Sequence, residues 1–282
     1  MTDHPPQQAA SRFAQIAALI GEEGAFEVRS LGGGDLSDIW QLDFASGRRV
    51  VVKNGPHVAT EAAMLDALAA TGVAVPPVLA VQGDLLALGY VPRGGKGDEA
   101  WSALGQAMRC LHEVKQPPRY GWDEDYAFGT VPIINNWTLD WRDFWRDCRL
   151  RPFLDCLPRE VAARVNHLSQ TLDRFLPSAP RPTLLHGDLW TGNFITSPAP
   201  EGGIRAVLID PACYIGDASA DFAILTLFAT PPEAFWRSYG PLPEGYERSI
   251  NVYRLWPALV HYRLFGATYL GLVQSLLDTL EL

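Results

Sequence analysis

The stretch Leu184-Leu185-His186-Gly187-Asp188-Leu189-Trp190-Thr191-Gly192-Asn193-Phe194-Ile195, running on through residues 196–205 to Ala206-Val207-Leu208-Ile209-Asp210, decides how the rest of the chain is read. Asp188 is followed five residues later by Asn193, and the apolar run Ala206–Ile209 ends on Asp210. Phe194-Ile195 and Ala206–Ile209 read as two short strands, with the Pro/Gly-rich segment 197–203 as their turn. A hairpin of that kind carries Asn193 and Asp210 to one end. A carboxylate, an amide oxygen and a second carboxylate are thereby predicted to converge, which is what a reacting site requires and what unrelated polar turn residues do not give.

Such a set suits the transfer of a γ-phosphoryl group to an alcohol, where catalysis consists mostly of positioning and charge neutralisation. Asp188 is the candidate that orients and deprotonates the acceptor hydroxyl. Asn193 and Asp210 offer a neutral and a charged oxygen, a hard-ligand pair of the kind Mg²⁺ accepts while keeping several waters. Toward the N-terminus, strands are expected at Ala25–Leu31, Ile39–Phe44 and Arg49–Lys53, with the glycine-rich turn Gly32-Gly33-Gly34 after the first. Backbone amides of that turn can cradle phosphates, and Lys53 can reach them. Only three lysines occur in the chain, against twenty arginines, so a lysine kept in an apolar strand stands out. Glu61, in the first turn of a helix expected over Thr60–Ala70 with Thr60 as N-cap, is the candidate partner that holds it.

His186–Asn193 and Asp210-Pro211-Ala212-Cys213-Tyr214-Ile215-Gly216-Asp217 resemble the signature stretches of the fructosamine kinase (ketosamine kinase) family, within the aminoglycoside phosphotransferase and choline kinase branch of the protein-kinase-like fold. The resemblance continues through Leu31–Asp35, Glu61–Leu65 and Arg263–Gly266, leaving out only the first ten or so residues. It implies an α+β, two-lobed protein-kinase-like fold, with a β-rich nucleotide-binding lobe over residues 1–92 and a mainly helical catalytic and substrate-binding lobe over 93–282. It also implies ATP and Mg²⁺ as cofactors, with adenine against the backbone of Gly89, Tyr90 and Val91. The acceptor implied is the 3-hydroxyl of a ketosamine, free or on a protein lysine. Trp190, next to Asp188, is expected to contact the substrate; so are Asn135 and Trp137, in a segment that runs on through Trp141 to Arg149, and His261 from a late helix. Two departures stand out. The connection from Lys53 to Glu61 looks shortened, and Asp35 stands where some members carry a cysteine, so no redox switch is expected there.

Composition narrows the class further. The 282 residues are 48% hydrophobic and 20% charged, ordinary for a globular protein. A net charge of -9 with no Lys/Arg cluster argues against nucleic-acid binding. No apolar run is long enough to span a membrane and no N-terminal signal pattern is present, so a cytoplasmic protein, monomeric and not membrane-bound, is expected. The four cysteines show no CxxC spacing and read as reduced core residues.

The remaining segments are read as helices. The first is expected over Ser11–Glu22, capped by Ser11, after a disordered start. Others are expected at Glu99–Glu113, along the Trp141–Cys148 stripe, at Glu160–Leu176, Ala218–Ala229 and Pro232–Tyr239, and at Tyr246–Leu280 with a break near Pro257. Asp217 is assigned a helix-capping role and Asp221 a contact that supports the catalytic loop; His112 is read as structural. Gly94-Gly95-Lys96-Gly97 lacks the GxxxxGK[ST] frame and is not a P-loop. Kinases of other small hydroxylated acceptors (an aminoglycoside, choline or homoserine) stay open as alternatives. So does a nucleotide-binding protein without catalysis.

Overall fold

Alternation along Arg49–Asn54 shapes the first lobe. The period of two turns Val50 and Val52 to one side of the strand, Val51 and Lys53 to the other. The computed structural model describes residues 7–32 and 38–282. Its first part consists of α1 (Gln7–Leu19), β1 (Phe26–Ser30), β2 (Asp38–Phe44), β3 (Arg49–Asn54), α2 (Val58–Ala70), β4 (Val78–Gln82) and β5 (Leu85–Gly89). The five strands form one antiparallel sheet in the order β1-β2-β3-β5-β4. On one face Phe13, Ile16 and Ala17 of α1 close over Leu42, Phe44, Val50, Val52, Leu85 and Ala87. On the other, Val58, Ala62 and Leu65 of α2 meet Leu86 and Leu88. Lys53 shares a face with Val51, and so its ammonium is delivered toward α2.

After residues 90–97 the chain turns helical, through α3 (Asp98–Glu113), the small hairpin β6 (Tyr126–Phe128) and β7 (Val131–Ile133), α4 (Trp141–Phe144) and α5 (Arg159–Gln170). Then come β8 (Thr183–Leu185), β9 (Phe194–Pro198), β10 (Ile204–Leu208) and β11 (Tyr214–Gly216), and finally α6 (Asp221–Phe228), α7 (Glu233–Tyr239), α8 (Tyr246–Phe265) and α9 (Leu270–Thr279). β9 pairs antiparallel with β10 from Phe194↔Leu208 to Pro198↔Ile204, and β8 with β11. The first pairing is the hairpin that the 194–209 pattern predicts. The architecture is the two-lobed α+β one. Among the described residues no helix is long and apolar enough to cross a membrane.

Several local expectations are corrected. α1 starts at Gln7 and runs through Ser11, which is therefore no cap. α2 starts at Val58, and the Thr60 hydroxyl leaves its own helix for Glu124. The tryptophan stripe is not one α-helix. After a single α turn, Trp145–Leu150 widens into a π-helix and Arg151–Cys156 tightens to 3₁₀. Pro257 does not break its helix; the break falls at Gly266, whose φ is 76°. A mid-helix proline costs about 3 kcal/mol. Here Leu255, Trp256, Ala258, Leu259 and Val260 around it are all buried, each large side chain contributing about 1.5–3 kcal/mol, so packing outweighs the lost hydrogen bond.

Candidate active site

The sharp exit from β8 requires glycine at position 187. Gly187 has φ of 79°, and a Cβ there would overlap the Ala212 carbonyl, which belongs to the segment leading into β11. That close approach is held by the Ala212 N–H donating to the His186 carbonyl at 2.9 Å. His186 is fully buried; its Nε2 bonds the Ile209 carbonyl at 3.0 Å, and its Nδ1 faces the Asp188 N–H at 3.3 Å. Nε2 must carry the proton to face a carbonyl, so Nδ1 accepts and the ring is neutral. Burial agrees, pushing the imidazole below its ordinary pKa. From below, one Asp221 carboxylate accepts the N–H groups of His186 and Gly187, each at 2.8 Å, and His112 Nε2 at 3.1 Å. Asp221 thus supports the loop, and His112 is structural, its other nitrogen on the Tyr239 hydroxyl.

At the loop's working end, Asn193 Nδ2 donates both to the Asp188 carbonyl and to Asp188 Oδ2, each at 2.8 Å. The hairpin brings the second carboxylate to the same end, since the Ile209 N–H donates to the Asn193 carbonyl at 3.0 Å. Asp210 follows with φ of 53°, a left-handed conformation that among the described non-glycine residues only Glu281 shares. Such strain persists where the surroundings enforce it. Lys53 Nζ bridges Asp210 Oδ1 and Glu61 Oε1, the latter at 2.6 Å. Burial alone would lower the Lys53 pKa; the Asp210 and Glu61 carboxylates outweigh it and hold the ammonium above its ordinary range. Burial also pushes the Asp188 carboxyl up to about 7, against the Asn193 hydrogen bond and with help from the Asp210 and Asp221 charges.

Lys53, Glu61, Asp188, Asn193 and Asp210 are therefore assembled in one chain of contacts. The other candidates fare differently. Gly32 is described, exposed, with φ of 78°; Gly33 and Gly34 lie outside the described residues. At the exit of β5 the Gly89 N–H is taken by the Pro77 carbonyl at 2.9 Å and the Tyr90 N–H by the Arg49 carbonyl at 3.4 Å. Neither amide is free to donate to a base, and among the described residues only the Val91 N–H of the three has no backbone partner.

Two of the substrate candidates, Asn135 and His261, need correction. Asn135 is 1% exposed, with Nδ2 on the Glu124 carbonyl at 3.1 Å and Oδ1 on Arg149 Nη2 at 2.9 Å. Its carboxamide is used inside the protein, and it cannot border a ligand. Trp137 is half-buried, its Nε1 on Asp123 Oδ1 at 3.0 Å and one face covered by the Arg119 guanidinium at 3.7 Å. His261 bonds the Pro257 carbonyl at 2.8 Å and packs among Phe228, Phe265 and Tyr269, away from the contacts of the catalytic loop. Trp190 remains. Its side chain is 45% exposed beside Asp188 and packs over Gly192, where a Cβ would overlap its six-membered ring.

Sequence reading missed Tyr126. Its ring lies 5.6 Å from that of His57 at the start of α2, and its phenol is pushed well above the ordinary range, first by burial and then by the charges of Glu61, Asp210 and Asp188. Its position depends on the β6–β7 hairpin, and no local spacing marks it. A separate cavity of about 600 Å³, lined by Thr71, Gln106, Arg109, Cys110, Glu113, Val114 and Ser238, contains none of these groups.

A lysine–glutamate pair on a five-stranded sheet, tied to a loop Asp, Asn and second Asp, defines the class: a two-lobed kinase-like phosphotransferase with an alcohol group as acceptor. A sequence profile described as fructosamine kinase matches residues 9–282, and the chain belongs to that family. The Escherichia coli K12 protein named "Probable ketoamine kinase YniA" is 34% identical, covering 94% of this chain and 98% of its own. The chloroplastic protein-ribulosamine 3-kinase of Oryza sativa subsp. indica is 30% identical over 97% of this chain and 87% of its own. A Thermobifida fusca crystal structure carrying a provisional fructosamine-3-kinase name superposes with a TM-score of 0.81, at 28% identity, over 94% of this chain and 96% of the other.

Proposed function

We propose that the chain uses ATP to phosphorylate a sugar hydroxyl of ketosamines of the fructosamine or ribulosamine type, free or on protein lysines, as a deglycation repair step. The observation that carries this reading is the Asn193 amide turned onto Asp188, at the end of a hairpin whose other strand delivers Asp210 to Lys53 and Glu61. Residues 1–92 form the nucleotide lobe and 93–282 the catalytic and acceptor lobe, working as a cytoplasmic monomer.

Lys53, kept charged by its two carboxylates, anchors the α- and β-phosphates, and the Val91 amide faces the base. Asp188 orients the acceptor hydroxyl and takes its proton as that oxygen bonds to the γ-phosphorus; the bond from phosphorus to the β–γ bridging oxygen breaks and ADP leaves. The donor set fits Mg²⁺. With Nδ2 committed to Asp188, Asn193 presents Oδ1, and the Asp210 side chain is 38% exposed with one oxygen on Lys53. Among the described residues no group of three or more His, Cys, Asp or Glu could hold a metal, and Mg²⁺ on one carboxylate, one amide oxygen, phosphates and water needs none. When bound, the metal neutralises phosphate charge.

On the acceptor side Trp190 supplies an aromatic surface. The test is phosphate transfer from ATP to a panel of ribulosamine- and fructosamine-type compounds, aminoglycosides and choline. Turnover of the ketosamines alone is expected. Turnover of an aminoglycoside or choline with none on any ketosamine would reassign the acceptor while leaving the phosphotransferase chemistry in place.

A further inference from the structure

Helix α2 belongs to the small lobe by sequence, yet its first two turns are fastened to the large one. The Thr60 hydroxyl donates to Glu124 Oε2 at 2.6 Å. The His57 ring, at the helix start, lies 5.6 Å from that of Tyr126 on β6. One turn further on, the Cys213 N–H points at Met64 Sδ at 3.2 Å. Thr60 and Glu61 are neighbours on the helix, about 100° apart around its axis, so one can face the large lobe while the other faces Lys53. Both are buried, at 8% and 4% exposure.

The fastening does not end at Glu124. Its own carbonyl accepts from Asn135 Nδ2 at 3.1 Å, Asn135 Oδ1 accepts from Arg149 at 2.9 Å, and the Arg149 guanidinium lies 4.3 Å from the ring of Tyr214. Tyr214 stands four residues after Asp210. A continuous path therefore joins the helix that holds Lys53 to the segment that carries Asp210, starting at the exposed Glu124 and buried from Asn135 through Arg149 to Tyr214. It passes through Asn135 and Arg149, the residues freed of any role toward the acceptor.

We propose that Glu124 is a positioning residue: a large-lobe carboxylate that seats Thr60, and so sets α2 at the height where Glu61 meets Lys53. The proposal rests on reading that pair as the phosphate anchor. In this arrangement the pair is assembled by the fold itself. Breaking the seat should weaken nucleotide binding more than acceptor binding, because α2 tilts while the catalytic loop keeps its own supports on Asp221.

The test is the affinity of the purified full chain for a non-hydrolysable ATP analogue with Mg²⁺, measured without acceptor, alongside thermal melting. Thr60→Val, which keeps the shape and removes the donor, and Glu124→Ala should each weaken the analogue roughly 5- to 30-fold, toward the low end for a hydrogen bond to a charged group because Glu124 is exposed. Thr60→Ser and Glu124→Gln, which keep a donor and an acceptor, should stay within about twofold of the parent. The double variant Thr60→Val/Glu124→Ala should bind no more weakly than the worse single, as two partners of one bond must. Unchanged affinity in Thr60→Val with a normal parent would overturn the seat alone, as would equal loss in the conservative variants or additive loss in the double. A parent that binds no analogue would instead overturn the reading of Lys53 and Glu61 as the anchor, and the seat with it.

Discussion

Two polar clusters of the large lobe, a partly open one around Asp188 and a buried one around Arg149, are built on opposite terms. Arg149 is fully buried and no carboxylate pairs with it among the described residues; Nη1 donates to the Ile134 and Cys148 carbonyls, Nη2 to Asn135, and the rings of Phe144, Tyr214 and Trp256 lie 4.3–4.7 Å away. Both of its terminal nitrogens are spent inside the protein, and its buried Nε has no hydrogen-bond partner. Around Asp188 each side chain is held by one atom and keeps another: Asn193 bonds through Nδ2 and keeps Oδ1, and Asp210 gives one oxygen to Lys53. A closed cluster fixes shape, whereas vacancies let a cluster do chemistry. If that contrast is right, substitutions in the first should register as stability and those in the second as rate.

The largest effect is expected at Asp188. Asp188→Asn should melt like the parent, bind Mg·ATP and lose on the order of 10²- to 10⁴-fold in kcat, as for the loss of a general base. The same carboxyl sets the pH dependence. With its pKa raised to about 7 in the free protein, it is ionised and able to accept a proton above that value and increasingly protonated below it. The kcat/KM should therefore fall as pH drops through about 7. A profile flat through neutrality in the parent, or an Asn variant with near-parental kcat, would remove Asp188 from the chemistry.

Asp210 and Asp217 sharpen the contrast within one short segment. Asp210→Ala should raise the Mg²⁺ concentration needed for half-maximal rate and cut kcat steeply. Asp217 is 3% exposed and accepts from the Ser219 N–H at 2.9 Å and the Tyr253 hydroxyl at 2.7 Å, so Asp217→Ala should cost about 1–3 kcal/mol of stability with the metal dependence unmoved. Metal titration and melting on the two variants exchange the roles if the results come out reversed.

Next in size, Arg149→Met keeps the bulk and leaves the Ile134 and Cys148 carbonyls and Asn135 Oδ1 without their donor. A buried acceptor left alone costs about 1–3 kcal/mol, which for a chain of this size lowers Tm by roughly 2–5 °C. Acceptor KM should change little. A variant that melts normally but has lost acceptor affinity would return the Arg149 cluster to the substrate site.

The same contrast explains what could be read from the sequence. The Leu184–Asp210 stretch was legible because its geometry is local: five residues of loop and a two-stranded hairpin. Lys53 and Glu61 were legible because strand alternation and a helix start place them a few residues apart. The places of Asn135 and His261 were not. Polar and aromatic residues in the right segment look the same whether their atoms face a ligand or, like the Asn135 carboxamide, are consumed by a partner eleven and fourteen residues away. The helix boundaries failed for a related reason: Pro257 and Thr60 obey contacts across the fold in place of their local preferences.

The smallest expected effect concerns Trp190, an exposed aromatic ring beside Asp188. An aromatic face contributes surface to a sugar-like acceptor with no direct part in phosphate transfer. Trp190→Ala should thus raise acceptor KM with little change in the KM for ATP. The ring's place can be tested separately, since it lies where a side chain at position 192 would be. Gly192→Ala must push it aside, and the Asn193 N–H that bonds the Trp190 carbonyl at 3.0 Å holds the backbone while it does so. A ring displaced over an intact loop should raise acceptor KM by a fraction of the Trp190→Ala effect and leave the Asp188 pH profile where it was. If Gly192→Ala instead lowers kcat and moves that profile, the glycine serves the Asp188–Asn193 geometry itself, and the boundary between the acceptor surface and the reacting groups must be drawn closer to Asp188.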